Sequence, residues 1–346
     1  MGTLAVRFLL GALLAAGFSP LLAARDNQAI VPPVLSRRPP DLTQMTLDDL
    51  RSRLSFLESS KGRSDPELIP VLRAIVVAYR AQGAYAEAIP FEEQGLTLAQ
   101  KALGENDPEV VLSLDALGTL DLLAGDDKAA IENFEHAQFI VEKYLGAPHP
   151  MQALLLLHLG SAYLSGGRLN DAERALKRAR PALVSAFGPE TLEATAAEQQ
   201  LGTLYLRMGQ FSKAQKELED AFAIRMGWLS NWPDNMTEAG IRICMAQVQV
   251  PLGALYTAEG RYEEANYRLL GALQTFENIL GRDRPELEEA LVNLAALAAA
   301  QGDDASASAY QIRAERIHKQ SLGISHLRSV PLPQALGPLI AKKANQ

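Results

Sequence analysis

A single cysteine, Cys244, leaves no partner for an intrachain disulfide and no multi-cysteine metal site. The five histidines, His136, His149, His158, His318 and His326, are scattered, and no pair has the spacing of a zinc-binding helix. Aromatics are few, at 6%, and the formal charge of −8 leaves no basic stripe for nucleic acid. No Gly-x-Ser-x-Gly turn and no phosphate-binding loop occur, so no catalytic residue is assigned. Metal, small-molecule cofactor and nucleic acid are therefore absent from the expected ligands.

Long apolar runs are scarce as well. The uncharged stretch Phe8 to Ala24 covers 17 residues and contains Pro20, short of the ~20 a membrane span requires. Arg7 precedes it, Ser19-Pro20 breaks it, and Leu21-Leu22-Ala23-Ala24 supplies small residues before Arg25. That is the layout of a secretory signal peptide over residues 1–24. The expectation is cleavage after Ala24 or Ala23 and an exported protein, periplasmic or secreted. The alternative is an uncleaved segment that anchors the chain to a membrane.

What the chain has in quantity is alanine, leucine and evenly spaced glycine. Gly83, Gly125, Gly167, Gly209, Gly260 and Gly302 follow one another at steps of 42, 42, 42, 51 and 42 residues. An alanine stands five residues after each: Ala88, Ala130, Ala172, Ala214, Ala265 and Ala307. A fixed period in this range marks one supersecondary unit copied and stacked into a solenoid. Within a unit, Asp107 is a good N-cap, Pro108 suits the first helical turn, and Gly125 turns the chain into a second helix ending near Gly146. The same grammar recurs at Asp65-Pro66, His149-Pro150 and Arg284-Pro285. His149 stands where other units place aspartate, which makes it a helix cap.

These signals predict an all-α solenoid of six antiparallel helix pairs over 62–323. A Pro-rich linker, 25–45, precedes it. Thr46 with Asp49 resembles a capping box, and Leu47, Leu50, Leu54 and Leu57 form one stripe, so 46–61 is read as a capping helix equal to half a unit. A tail, 324–346, follows with room for a short capping helix. The long step holds an insertion near 227–251. It begins with the loop Gly227 to Asp234, which contains both tryptophans, Trp228 and Trp232, and continues into a helix from Thr237 to Ala258 with a kink at Pro251. The two tryptophans either form a contact loop or fold back over exposed core.

Leu159-Gly160, Tyr163, Ala172, Leu176 and Ala179 have the spacing of the tetratricopeptide repeat, and two sets match them. One is Leu201-Gly202, Tyr205, Ala214, Leu218 and Ala221; the other is Leu252-Gly253, Tyr256, Ala265, Leu269 and Ala272. The 42-residue length and the junction Leu145-Gly146 to His149-Pro150 resemble the kinesin light chain-like subclass. The resemblance implies a right-handed superhelix whose first helices line a concave, ligand-binding groove. By that resemblance Thr119, Ser161 and Thr203 form one groove row and Leu122, Leu164 and Leu206 another, with Leu112, Leu154, Leu157 and Gln199 a turn or more earlier. Leucine flanked by hydroxyls suits an apolar peptide or an amphipathic helix; buried against the next unit, the same leucines would be core. The subclass often repeats an asparagine before its Leu-Ala pair, and here only Asn293 matches, with His158, Gln200 and Pro251 at equivalent places.

The function expected from these readings is a non-enzymatic scaffold or adaptor binding a protein or peptide partner. A self-associating structural subunit of an envelope complex is the alternative, and an enzyme the remote third.

Overall fold

The computed structural model describes residues 42, 45–146, 149–231, 233 and 236–321. The segment 1–24, most of the linker, Trp232 and the tail 324–346 lie outside the described residues. Among the described residues there are 13 α-helices and no strand. A lone helix, α1 (Leu47–Lys61), comes first, and six antiparallel pairs follow. The first pair is α2 (Leu68–Ala81) with α3 (Tyr85–Leu103), the second α4 (Pro108–Ala124) with α5 (Asp127–Ile140). The third is α6 (Pro150–Ser165) with α7 (Leu169–Phe187), the fourth α8 (Leu192–Arg207) with α9 (Phe211–Gly227). The fifth is α10 (Glu238–Glu259) with α11 (Tyr262–Leu280), the sixth α12 (Glu288–Ala300) with α13 (Asp304–Ser321).

Local chemistry sets the helix ends. Thr46 and Asp49 close a reciprocal capping box at α1. Asp107 accepts from the Glu109 amide ahead of α4, and Thr191 and Thr237 cap α8 and α10 through their hydroxyls. His149 Nδ1 accepts from the Met151 amide at 3.2 Å, the capping role its position predicts. The two helices of a pair cross where glycine permits it. A Cβ on Gly160 would lie 2.5 Å from Leu176 Cδ2, and one on Gly202 2.5 Å from Leu218 Cγ. Leu50, Leu54 and Leu57 of α1 are buried in a cluster with α2 and α3, so the half unit covers the first pair. A second, continuous core runs through the remaining units.

The insertion lengthens α10, which runs to 22 residues. Trp228 folds back: it is 4% exposed, and its indole Nε1 donates to the Glu190 carbonyl at 3.1 Å. The contact-loop reading does not hold for Trp228, whose ring closes core between units. Pro251 sits inside α10, where it cannot donate to the Gln247 carbonyl. Gln199 Nε2 takes over that carbonyl at 3.0 Å. Arg225, in the register of Leu183 and Val141, is 0% exposed. Its Nε donates to Thr195 Oγ1 at 3.1 Å, and its Nη1 to Gln199 Oε1 at 2.8 Å and to the Cys244 carbonyl at 2.7 Å. Burial pushes its guanidinium down to about 10, so it stays charged at neutral pH. The irregular step is thus stitched by one buried cation and one glutamine.

The groove expected from the resemblance is not an open one. In α8 every residue from Leu192 to Leu206 except Glu198 is buried, which makes this helix buried all round. Leu122, Leu164 and Leu206 are each 0% exposed. They are core, packed against neighbouring units, and the reading of them as an exposed ligand strip is corrected. Ser161 and Thr203 are buried as well, and their hydroxyls donate back to the Leu157 and Gln199 carbonyls at 3.0 Å each. Thr119, Leu154, Leu157 and Gln199 are also buried; only Leu112 of the expected set remains half-buried. The physical reason is winding: the first and sixth units meet, with Arg284 Nη1 donating to the Ala81 carbonyl at 2.6 Å. A superhelix this tight leaves its inner wall little room to face solvent.

Candidate functional site

Polar chemistry on the inner wall follows the repeat register. In one register row stand Leu112, Leu154, Ala196, Gln247 and Glu289, apolar in early units and polar in late ones. One turn on stand Ala74, Ala116, His158, Gln200, Pro251 and Asn293. Successive first helices pack together from α4 to α12, so each row runs continuously along the wall. Leucine at early positions of the first row fills space between helices, whereas Gln247 and Glu289 bring hydrogen-bonding groups to the same places.

Some of these groups are satisfied within the protein. His158 Nδ1 lies 2.5 Å from Asp115 Oδ1, tying the third unit to the second, with the Phe134 ring 5.5 Å from the imidazole. Asn293 Nδ2 donates to the Glu289 carbonyl at 2.9 Å, one turn back in α12. Others are not. Gln200 is 2% exposed, and neither its Nε2 nor its Oε1 has a hydrogen-bond partner. Gln247 is 8% exposed with Nε2 free, although its own carbonyl is held by Gln199. Buried polar groups are nearly always paired, and leaving one unpaired costs ~1–3 kcal/mol. Two such amides on adjacent units are the most unusual feature of the wall. Beside them, burial pushes the half-buried Glu289 carboxyl up to about 8.

A second polar group lies at the end formed by the first unit. Glu92 occupies the register of Phe134, Leu176 and Leu218, a core position, and is itself buried. Burial raises its carboxyl, opposed by Arg73, the Ser113 hydroxyl and Arg80. Arg73 also pairs with Glu109. Arg80 takes the place that leucine holds in the next three units, near Tyr85, Glu92 and Asp115. No group of three or more metal-ligating side chains forms among the described residues.

Sequence reasoning placed the helices that build this wall and missed the residues that distinguish it. Arg225, Glu92, Gln247 and Glu289 each break the residue type of their register row. That break was visible in the repeat alignment, and only the packing shows which breaks are buried. Trp232, the other half of the expected contact loop, lies outside the described residues.

A tetratricopeptide repeat family model matches residues 67–143, 151–226 and 244–320. These segments make up most of the chain, which belongs to the tetratricopeptide repeat family. No curated protein matches it. Among solved structures it is similar to aspartyl phosphate phosphatase F from Bacillus subtilis, with a TM-score of 0.59 and 16% identity over 83% of this chain and 68% of that one. It is also similar to a Rap protein solved with the Competence and Sporulation Factor, with a TM-score of 0.53 and 14% identity over 92% and 98% of the two chains. A putative kinesin light chain of Podosopora anserina with nearly identical TPR-like repeats gives a TM-score of 0.47 and 22% identity over 62% of this chain and 96% of that one. At these identities the likeness is one of fold.

Proposed function

We propose that the protein is a non-catalytic scaffold that binds an extended segment of a partner polypeptide along the inner wall of its fourth to sixth units. The observation that carries this reading is the pair Gln200 and Gln247, both buried, the first with its whole amide unpaired and the second with its Nε2 unpaired. A side-chain amide offers one donor and one acceptor side, the complement of a peptide unit. Asn293, in the register of Gln200, adds a third amide on the sixth unit. The Rap structure, solved with the Competence and Sporulation Factor, is a precedent for a solenoid of this fold in complex with a partner.

The test is selection of binders from a phage-displayed random peptide library, followed by calorimetry with the selected peptides. Q200L and Q247L should each weaken binding about ten- to a hundredfold, the cost of one or two lost hydrogen bonds. The fold should hold or gain stability, because an unsatisfied buried amide is replaced by an apolar group of similar size. Loss of stability without loss of affinity would mean the two glutamines serve packing alone. Light scattering over a range of concentrations separates this reading from a self-associating subunit, since a pure adaptor stays monomeric without its partner.

We also propose that the protein acts outside the cytoplasm. The support is the sequence layout of Arg7, the uncharged run to Ala24 and the small residues before Arg25. N-terminal sequencing of protein from the native source should begin at or beside Arg25. An intact Met1 in a membrane fraction would overturn cleavage and favour an anchor.

A further inference from the structure

The contact between the first and sixth units is built from residues that depart from the repeat pattern on both sides. In the other three units that begin with a proline, the residue before it accepts from a backbone amide two residues on, as Asp65, Asp107 and His149 do. Arg284 has no acceptor to offer, and a short 3₁₀ turn, Pro285–Leu287, opens the sixth unit with no side-chain cap. Its guanidinium reaches across the superhelix instead. Nη1 donates to the Ala81 carbonyl at 2.6 Å, and Nη2 to Glu286 Oε1 at 3.3 Å. Ala81 is the last residue of α2, where carbonyls lack intrahelical partners and the helix dipole favours a cation.

The second element is steric. Pro285 is buried, and a Cβ on Gly83 would lie 2.9 Å from its Cγ and 3.1 Å from its Cδ. The corresponding turn glycines Gly167, Gly209, Gly260 and Gly302 have open space there. All five have φ between +71° and +78° except Gly260 at +79°, so backbone strain is common to them and the clash belongs to Gly83 alone. The third element is charge: Tyr85, next to the turn, is buried close to Glu286, Glu288, Arg284 and Arg80. Glu288 in turn pairs with His318 Nδ1 at 2.7 Å.

We propose that this seam is a clasp that holds the superhelix closed, and that its release opens the inner wall to ligand. Closure stands on the seam geometry by itself; admission of ligand rests on the peptide-binding reading above. A solenoid whose units touch only their neighbours unfolds and flexes locally. Joining its ends converts the array into a ring, and the inner wall becomes accessible only as the ring parts. The clasp is small, with one charge-assisted hydrogen bond, one interlocked proline and a buried phenol, as suits a device that must open.

The experiment compares the full chain with R284A, G83A and the control G209A, which carries the same turn strain without the clash. Small-angle scattering should give a larger radius of gyration for R284A and G83A than for the parent and G209A. In a C244S background, Q200C serves as a reporter of access to the wall, read by maleimide labelling. Its labelling should speed up about tenfold or more when R284A or G83A is added, following the greater population of the open state, and should not change with G209A. Equal radii of gyration across parent, R284A, G83A and G209A would overturn the clasp. Larger radii with unchanged labelling at position 200 would keep the closure and overturn the access it is proposed to control. Failure of peptide selection with an intact scattering result would reject the ligand reading alone.

Discussion

Replacing Leu122, Leu164 and Leu206 together by serine should unfold the middle of the superhelix. Each of the three is fully shielded from solvent. Truncating a buried leucine costs ~2–5 kcal/mol, and a serine hydroxyl left without a partner adds ~1–3 kcal/mol. Three such changes in consecutive units are as large as or larger than the ~5–15 kcal/mol that stabilises a typical domain. Because a solenoid couples neighbouring units, the loss should spread through units two to four first, and the helical circular dichroism should fall by a large fraction at room temperature. A helical spectrum and denaturation midpoint close to wild type would show that these side chains are dispensable to packing.

Arginine replaces leucine at this row's place in the first unit, a change that uniform packing would forbid. Packing is not uniform. Arg80 stands near Tyr85, Glu92 and Asp115, and Tyr85 borders the seam with the sixth unit. The end units of a closed superhelix have neighbours that the middle units lack.

Stability should fall as pH rises from about 4.5 to about 8, the opposite of ordinary acid denaturation. Burial pushes the Glu289 carboxyl from 4.5 up to about 8, and burial pushes Asp121 from 3.8 up to about 7 against the opposing hydrogen bond from Asn133. Burial raises Glu193 as well. A carboxyl whose folded value exceeds its unfolded value binds more protons in the native state between the two. The stability it contributes is complete below the unfolded value and is lost as pH climbs through the folded one. At ~1.4 kcal/mol per pKa unit the Glu289 term is on the order of a few kcal/mol, an upper bound because relaxation and water entry soften desolvation. Denaturation midpoints measured from pH 4.5 to 8.5 should decline through this window. E289Q should flatten part of the decline, Asp121 and Glu193 supplying the rest, and leave the acid limb in place. A midpoint that rises across the window, or a decline untouched by E289Q, would contradict the assignment. A ligand that brings a cation to Glu289 should restore stability at pH 8, because it supplies the charge that ionisation there lacks.

The architecture was legible in the chain because it depends on local rules repeated many times. A glycine at each turn, a proline at the start of four of the six units and small residues at each helix crossing act within one unit, and copying multiplies their signal. Thus the six pairs, the half unit at the start, the cap at His149 and the long helix through Pro251 were all within reach of the sequence. How tightly the units wind depends on small rotations summed over the array, and no single residue encodes that sum. Only the tertiary structure could decide that Leu122, Leu164 and Leu206 are core, that Trp228 covers rather than contacts, and that Arg284 meets Ala81 some two hundred residues away in the chain. The same winding left Gln200 and Gln247 buried with unpaired amide nitrogens, since burial is decided by distant neighbours while residue type is decided position by position.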